Sequence, residues 1–297
     1  MKQNVARRPR FQRVSDLPPI RLTTRDKAIL STVCRYRYLT ASHILSLVSG
    51  SRQNIVRRLQ RLYHAGFLDR PRAQLPLRFA GNLSEIVYAP TRKTIAHCQG
   101  DAGKSDPRET YKQTTSQFLS HALSVSDSLI SIESACKKSG IRFVGEEEIL
   151  DSLPAAEIAS RIQWRVGIKS GTATEKVGVI PDALFAIDRA GSADSSRRLF
   201  FFLESDRGTM PIHRKSLQLS SIRRKALAYA QSRRSKILKE RFDMPGFQVL
   251  FVTHSRNRLE GIREESQAST NDRASSLFLY ATDDELRHDP LRVLRMI

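Results

Sequence analysis

The stretches IPDALFAI, residues 180–187, and FFFLESDRGT, residues 200–209, place three carboxylates, Asp182, Glu204 and Asp206, at the ends of strand-like apolar runs. A strand period of two puts Phe200, Phe202, Glu204 and Asp206 on one face of the second run and Phe201 and Leu203 on the other. Pro181 introduces Asp182 at a strand bend, so the three acids converge at one sheet edge if the two runs pair as neighbours. Oxygen ligands converging in that way bind a hard divalent cation such as Mg²⁺; without one they demand a basic partner. Two nearby lysines, Lys215 and Lys225, are candidates to bring a positive charge to the acids. The plain alternative is a salt-bridge network in which Arg207, Arg214 and Arg223 hold Glu204 and Asp206 and no chemistry occurs.

Other chemistry has little support. The 7 histidines occur singly, without the HxxxH or HExxH spacing of a zinc site. Ser205 lies in no GxSxG elbow, and the chain has no GxxxxGK[ST] phosphate loop. His121 reads as a packed core histidine and Glu133 as a solvated acid of the same helix. GEEE at 145–148 reads as an exposed turn. The 3 cysteines, Cys34, Cys98 and Cys136, form no CxxC pair and suit a reducing cytoplasm as small buried hydrophobes. No apolar run approaches the ~20 residues of a membrane span, and no apolar h-region follows the basic N-terminus, so neither a membrane nor secretion is expected.

The elements that must position these acids divide unevenly in charge. The 297 residues carry a net charge of +20, a field that attracts polyanions. Residues 1–78 hold 17 Lys/Arg against 3 Asp/Glu, so the N-terminal third is the basic pole. Residues 1–21, with three prolines and no amphipathic period, read as a flexible basic arm. Helical spacing then predicts one helix from Thr23 or Thr24 with Ile29, Leu30, Val33 and Tyr36 inward, and a second over TASHILSLV. A third over RQNIVRRLQRLYH turns Ile55, Val56, Leu59, Leu62 and Tyr63 inward. Its outer face carries Arg52, Gln53, Asn54, Arg57, Arg58, Gln60 and Arg61, and Ala65 and Gly66 end it. FLDRP and EIVYAPT read as two strands flanking a basic, proline-containing loop that brings in Arg70 and Arg72.

Residues 99–113 read as a linker, leaving 22–98 and 114–297 as two domains. A long helix over 116–140 is expected, with Phe118, Ala122, Val125, Leu129 and Ile132 as its apolar stripe. Then follow the strand IRFVG, the strands RIQWRVGI, VGVIPDALFAID and RLFFFLESD, a basic helix, FQVLFVTHS, another helix near NRLEGIREE, and SLFLYATDDEL. That order describes an α/β domain, α+β for the chain as a whole, whose sheet is at least partly parallel. Residues 214–241 hold ten Lys/Arg against one acid and read as one helix with Leu219, Ile222, Ala226 and Tyr229 as its apolar stripe.

LTASHIL, SRQNIVRRLQRLYHAGFLDR and VYAPT together resemble the winged helix-turn-helix family. The resemblance implies that the third helix enters a major groove, with Arg52, Gln53, Asn54, Arg57, Arg58 and Arg61 toward double-stranded DNA and Arg70 and Arg72 in a basic wing; arginine and asparagine suit guanine and adenine edges. PD followed by ESD resembles the restriction-endonuclease-like superfamily, whose motif is PD then (D/E)xK. That likeness implies a mixed-sheet α/β domain in which Asp182 and Glu204 hold Mg²⁺ and a lysine positions or activates water. Asp206 stands where the lysine belongs, so either Lys225 or Lys215 replaces it or the domain is an inactive descendant. More narrowly, SHALSVSD, IPDALFAI, FFLESDRGT and the pair Lys225 and Tyr229 resemble the replication-relaxation family of plasmid and integrative-element proteins. That resemblance implies a DNA-binding protein of a mobile element's replication, relaxation or transfer, working with a relaxase or replication protein. A Mg²⁺-dependent endonuclease or nickase, and a transcriptional regulator with an interacting or homodimerising C-terminal domain, are the alternatives.

Overall fold

The computed structural model describes residues 10–14, 19–99, 114–153, 162–170, 173–188, 198–270 and 276–296. It divides into two compact units, Met1–Ile130 and Ser131–Ile297. The class is mixed α and β, with a mixed five-stranded sheet.

The first unit opens with α1 (Thr24–Tyr36), α2 (Ala41–Leu47) and α3 (Arg52–His64). Thr23 and Thr40 cap α1 and α2 through reciprocal capping boxes, and Ser51 caps α3. Ile29, Leu30, Val33, Ile44, Ile55, Leu59 and Leu62 form the shared core. Gly66, at φ 79°, ends α3. There its N–H donates to Tyr63 O and that of Phe67 to Leu62 O, the two bonds of a Schellman motif. Strands β1 (Leu68–Asp69) and β2 (Ala89–Pro90) pair antiparallel, and Leu39 bridges to Tyr88 beside them. The connection expected as a loop contains a short helix, α4 (Gln74–Phe79), because the Gln74 side chain is buried and holds both the N–H and the C=O of Val87. After β2 runs α5 (Arg92–Gln99).

Two expectations change here. The arm is not free where it is described: Arg13 donates to Tyr63 O and Leu68 O, each at 3.0 Å, and Arg10 O accepts from Arg70. Residues 1–9 and 15–18 of the arm, and the expected linker from residue 100 to 113, lie outside the described residues. The long helix α6 (Ser116–Lys138) was expected in the C-terminal domain, yet its first part packs in the first unit. In its first part the buried face is Leu119, Leu123, Ser126 and Ile130, one residue round from the expected Phe118, Ala122, Val125 and Leu129, while Ile132 is fully buried as expected; Phe118 is 46% exposed. Leu119 and Leu123 join Tyr38, Val87 and Ala89 in a second core, and Ser126 Oγ donates to Tyr38 O.

The second unit holds β3 (Arg142–Gly145), α7 (Glu146–Asp151), β4 (Trp164–Ser170), β5 (Ala173–Val179), β6 (Ala183–Asp188) and β7 (Arg198–Asp206). Then come α8 (Ile222–Arg234), α9 (Ile237–Phe242), β8 (Phe247–Thr253), α10 (Arg256–Thr270), β9 (Phe278–Thr282), α11 (Asp283–His288) and α12 (Pro290–Val293). The sheet runs β3-β6-β7-β8-β9, antiparallel as far as β7 and parallel from β7 to β9. GEEE is therefore the first turn of α7, where acids suit the helix dipole. The run expected as a single strand, VGVIPDALFAID, breaks at Ile180 and Pro181. Its first half pairs with β4 as a separate hairpin and its second half enters the main sheet. The basic helix likewise begins only at Ile222, capped by Ser221, and breaks at Lys236, which sits at φ 54°. Leu219 lies before it and is 53% exposed.

Helix α8 is the middle layer of this unit. Trp164, Val166 and Val177 of the hairpin and Phe200, Phe202 and Val249 of the sheet belong to one core with Ala226 and Tyr229. The Tyr229 ring lies 6.0 Å from that of Trp164 and 5.7 Å from that of Phe202, and Trp164 Nε1 donates to Ser232 Oγ at 2.7 Å.

Candidate functional site

The two acidic runs are neighbouring strands. Ala183 pairs with Leu203, and the Asp182 N–H donates to Leu203 O at 3.1 Å, so Asp182 arrives at the first rung of the β6–β7 ladder. Its carboxylate accepts the Ser205 N–H at 2.8 Å. The strand period then sends Glu204 and Asp206 to the face that α8 covers, with Phe200 and Phe202.

Glu204 is 2% exposed. One of its oxygens meets Lys225 Nζ, and the other accepts from Tyr229 OH at 2.5 Å. Lys225 and Tyr229 stand four residues apart on α8, one turn, which lets one helix face grip both carboxylate oxygens. Burial pushes the Glu204 carboxyl up from its ordinary value, and the nearby Asp182 charge adds to this, against Lys225. For Lys225 burial works the other way, but Glu204, Asp182 and Asp206 outweigh it and the ammonium is held above its ordinary value. All three predicted acids therefore act on one lysine. Of the two candidate lysines it is Lys225 that reaches them. Lys215 is exposed on the connection before α8, where its carbonyl accepts from Arg223.

Asp206 is 9% exposed and is taken by a residue sequence reasoning missed. Arg258, in the first turn of α10, grips it through two bonds, Nε to Oδ2 at 2.8 Å and Nη2 to Oδ1 at 3.1 Å. The same guanidinium donates to Met210 O. Asp206 also accepts the Gly208 N–H at 3.0 Å, a turn that suits the glycine's φ of 79°. Arg223, expected on these acids, instead donates to the carbonyls of Arg214 and Lys215 and lies 3.9 Å from Glu265. The one signal for Arg258 was its place just after a parallel strand, at the helix start beside the end of β7.

Each of the three predicted carboxylates already has a protein partner. Lys225 and Tyr229 occupy Glu204, Arg258 takes Asp206, and Asp182 binds a backbone N–H. Among the described residues no group of three or more His, Cys, Asp or Glu side chains is arranged to hold a metal ion. In this arrangement Lys225 and Arg258 compensate the charge of Glu204 and Asp206, so a divalent cation there would compete with them.

The predicted helix face in the first unit divides in the same way. Gln53, Arg57 and Arg61 form an exposed stripe at four-residue spacing, flanked by Asn54. Val56, expected in the core, is 40% exposed within the same face. Arg52 is exposed but bonded to Glu85 and to Ser42 Oγ. Arg58 turns inward onto the fully buried Asp26, with Nε to Oδ1 at 2.7 Å. Arg70 is 6% exposed and lies against the rings of Tyr63 and Tyr88. These two arginines are structural, whereas Arg72 is exposed.

The replication-relaxation family model matches residues 30–243, most of the chain and every element that carries the acid cluster except α10. The chain belongs to the replication-relaxation family. No curated protein and no solved structure matches it. Family membership ties it to replication and relaxation of mobile elements. The family match ends before Arg258, so the clasp on Asp206 comes from outside the matched region while Lys225 and Tyr229 lie inside it. Among the described residues no helix is long and apolar enough to cross a membrane.

Proposed function

We propose that this member of the replication-relaxation family is a binding protein for double-stranded DNA, acting in the replication, relaxation or transfer of a mobile element beside that element's relaxase or replication protein. In this reading the first unit is a winged helix whose α3 enters the major groove, and the second unit is a nuclease-like sheet retained as a scaffold. The observation that carries it is the exposed α3 face of Gln53, Asn54, Arg57 and Arg61. Amide and guanidinium groups suit adenine and guanine edges, and Val56 offers an apolar contact for a thymine methyl. The surplus of 17 basic over 3 acidic residues in 1–78 supports it through phosphate attraction.

The test is fluorescence anisotropy on a labelled duplex across a salt series. Arg57→Ala with Arg61→Ala should weaken binding and lower the salt slope by about 1 to 2, one step per lost phosphate contact. Unchanged affinity and slope would remove α3 from the interface. A second reading has its own observation: Lys225 stands on Glu204 beside Asp182, bringing an acid pair and a lysine together without Asp206. Nicking of supercoiled plasmid in Mg²⁺ or Mn²⁺ that disappears in Asp182→Asn and Lys225→Met would make the second unit a nuclease. Its absence in the wild-type protein leaves the scaffold.

A further inference from the structure

Phe79 is 86% exposed, far beyond any other large hydrophobic side chain described; Ile180, at 54%, comes next. An aromatic ring held almost wholly in water on a pinned tip has its whole apolar area available to a partner. It is the last residue of α4, at the tip of the connection between β1 and β2. Both limbs of that connection are fixed. On one side Gln74 is locked to Val87, and Ser116 Oγ donates to Ala73 O at 2.8 Å. On the other, Arg78 donates to Ser84 O at 3.0 Å, closing the tip across Gly81, which sits at φ 76°. The next residue, Glu85, bonds Arg52 in the first turn of α3 and accepts the Ser42 N–H at 2.9 Å. The exposed ring is thus tied, through Arg78, Ser84 and Glu85, to the end of α3 that bears Gln53 and Asn54.

We propose that Phe79 is a wedge that inserts between base pairs of duplex DNA, beside the groove that α3 enters. The inference rests on the DNA-binding reading above and adds a second, uncharged point of recognition. The tip has what a wedge requires. It presents an apolar ring on a short fixed helix, and the exposed Arg72 and the stripe of Arg57 and Arg61 supply positive charge for the flanking phosphates. An inserted ring partly unstacks one base step and kinks the duplex, with stacking on the ring offsetting part of that cost. Flexible steps such as TA and CA unstack most easily, so Phe79 would also favour where the protein settles.

The experiment uses the full chain and an end-labelled duplex of about 30 base pairs bearing 2-aminopurine and a donor–acceptor pair at its ends. The wild-type protein should raise 2-aminopurine fluorescence and bring the ends closer. Phe79→Ala should weaken binding on the order of 10-fold and abolish both signals, while its salt slope stays that of the wild type, because no phosphate contact is lost. Phe79→Trp should retain both. Arg57→Ala with Arg61→Ala should instead lower the slope. If the wild type binds and Phe79→Ala binds and bends alike, the wedge is overturned and the α3 reading stands. A change in oligomeric state with Phe79→Ala, read by light scattering without DNA, assigns the ring to a protein contact and also overturns the wedge. No duplex binding by the wild type removes both.

Discussion

Each unit contains a buried acid gripped by a cation, and the two acids behave oppositely. In the first unit Asp26 is fully buried against Arg58 and also accepts the Thr23 N–H and O–H, each at 2.7 Å. Burial alone would raise its carboxyl; hydrogen bonds from Arg58 and Thr23 outweigh it and hold Asp26 below its ordinary value. In the second unit Glu204 has a lysine and a tyrosine but also a neighbouring acid, and its carboxyl is pushed up. Both pairs are close and shielded, so distance does not separate them. What differs is the balance: burial is the main reason that Glu204 is raised, with Asp182 adding to it and its lysine shared among three carboxylates, whereas several hydrogen bonds and an unshared guanidinium outweigh burial at Asp26. The first is a closed ion pair; the second is a cluster of acids that share one cation.

The largest effect that would break this comparison is loss of the first unit's lock. Arg58→Ala leaves Asp26 buried without its cation and should cost about 3–5 kcal/mol. Amide exchange of α1 and α3 would report it, and protection equal to wild type would show that Asp26 is not held as described. Lys225→Met should cost less, about 2 kcal/mol, because Tyr229 still donates and the raised carboxyl of Glu204 takes up a proton. Denaturation followed by the single tryptophan, Trp164, reads the second unit directly, and pairing the change with Glu204→Gln should recover most of the loss.

Acid sharpens the contrast. A carboxyl held low in the folded state contributes stability above its ordinary value and loses it as pH falls through the lowered one. One held high contributes below its ordinary value and loses it as pH rises through the raised one. On lowering pH from neutral to about 3, protection of α1 and α3 should therefore fall, whereas Glu204 contributes no such loss to the Trp164 transition. Asp26→Asn should reduce the first response to the part that Glu85, also held low by Ser42 and Arg52, contributes, and leave the second unchanged. The smallest effect separates the caps. Thr23→Ala and Ser221→Ala should each cost about 1 kcal/mol, but only Thr23→Ala should bring the acid limb of the first unit to higher pH, since the Thr23 hydroxyl bonds Asp26.

Local signals served the first unit well. The starts of the first two helices at a threonine or serine cap, the stop at Gly66 and most of the core could be read because short-range hydrogen bonds and a 3.6-residue period fix them; the Ser51 cap of α3 was not among the readings. The misplacements have physical causes too. Val56 looked like core because it is apolar, yet α3 buries only one arc and Val56 lies just outside it. The first part of the α6 stripe lies one residue round from the apolar period because small and polar side chains, Ser126 and Ser128, occupy its buried face, while Ile132 is buried as expected. For the acid cluster, the strand period put Glu204 and Asp206 on one face, and the pairing on which Asp182 depended, left as a condition by the sequence, is met by 183–188 with 198–203. Arg258 was missed because it lies 52 residues from Asp206, and its place at a helix start after a parallel strand does not by itself name its partner. Arg58 and Arg70 were read as solvent-facing for a similar reason: their type is basic, but Asp26 and the Tyr63 and Tyr88 rings draw them inward.

Helix α8 carries the grip on Glu204 while lying between the β4–β5 hairpin and the main sheet, and this sets how the cluster responds to events elsewhere. Tyr229 touches Trp164 and Phe202, which also touch each other, so hairpin, helix and sheet close on one aromatic cluster. One residue of α8 thus joins that cluster through its ring and the buried carboxylate through its hydroxyl, and a substitution that loosens the cluster should be felt at Glu204.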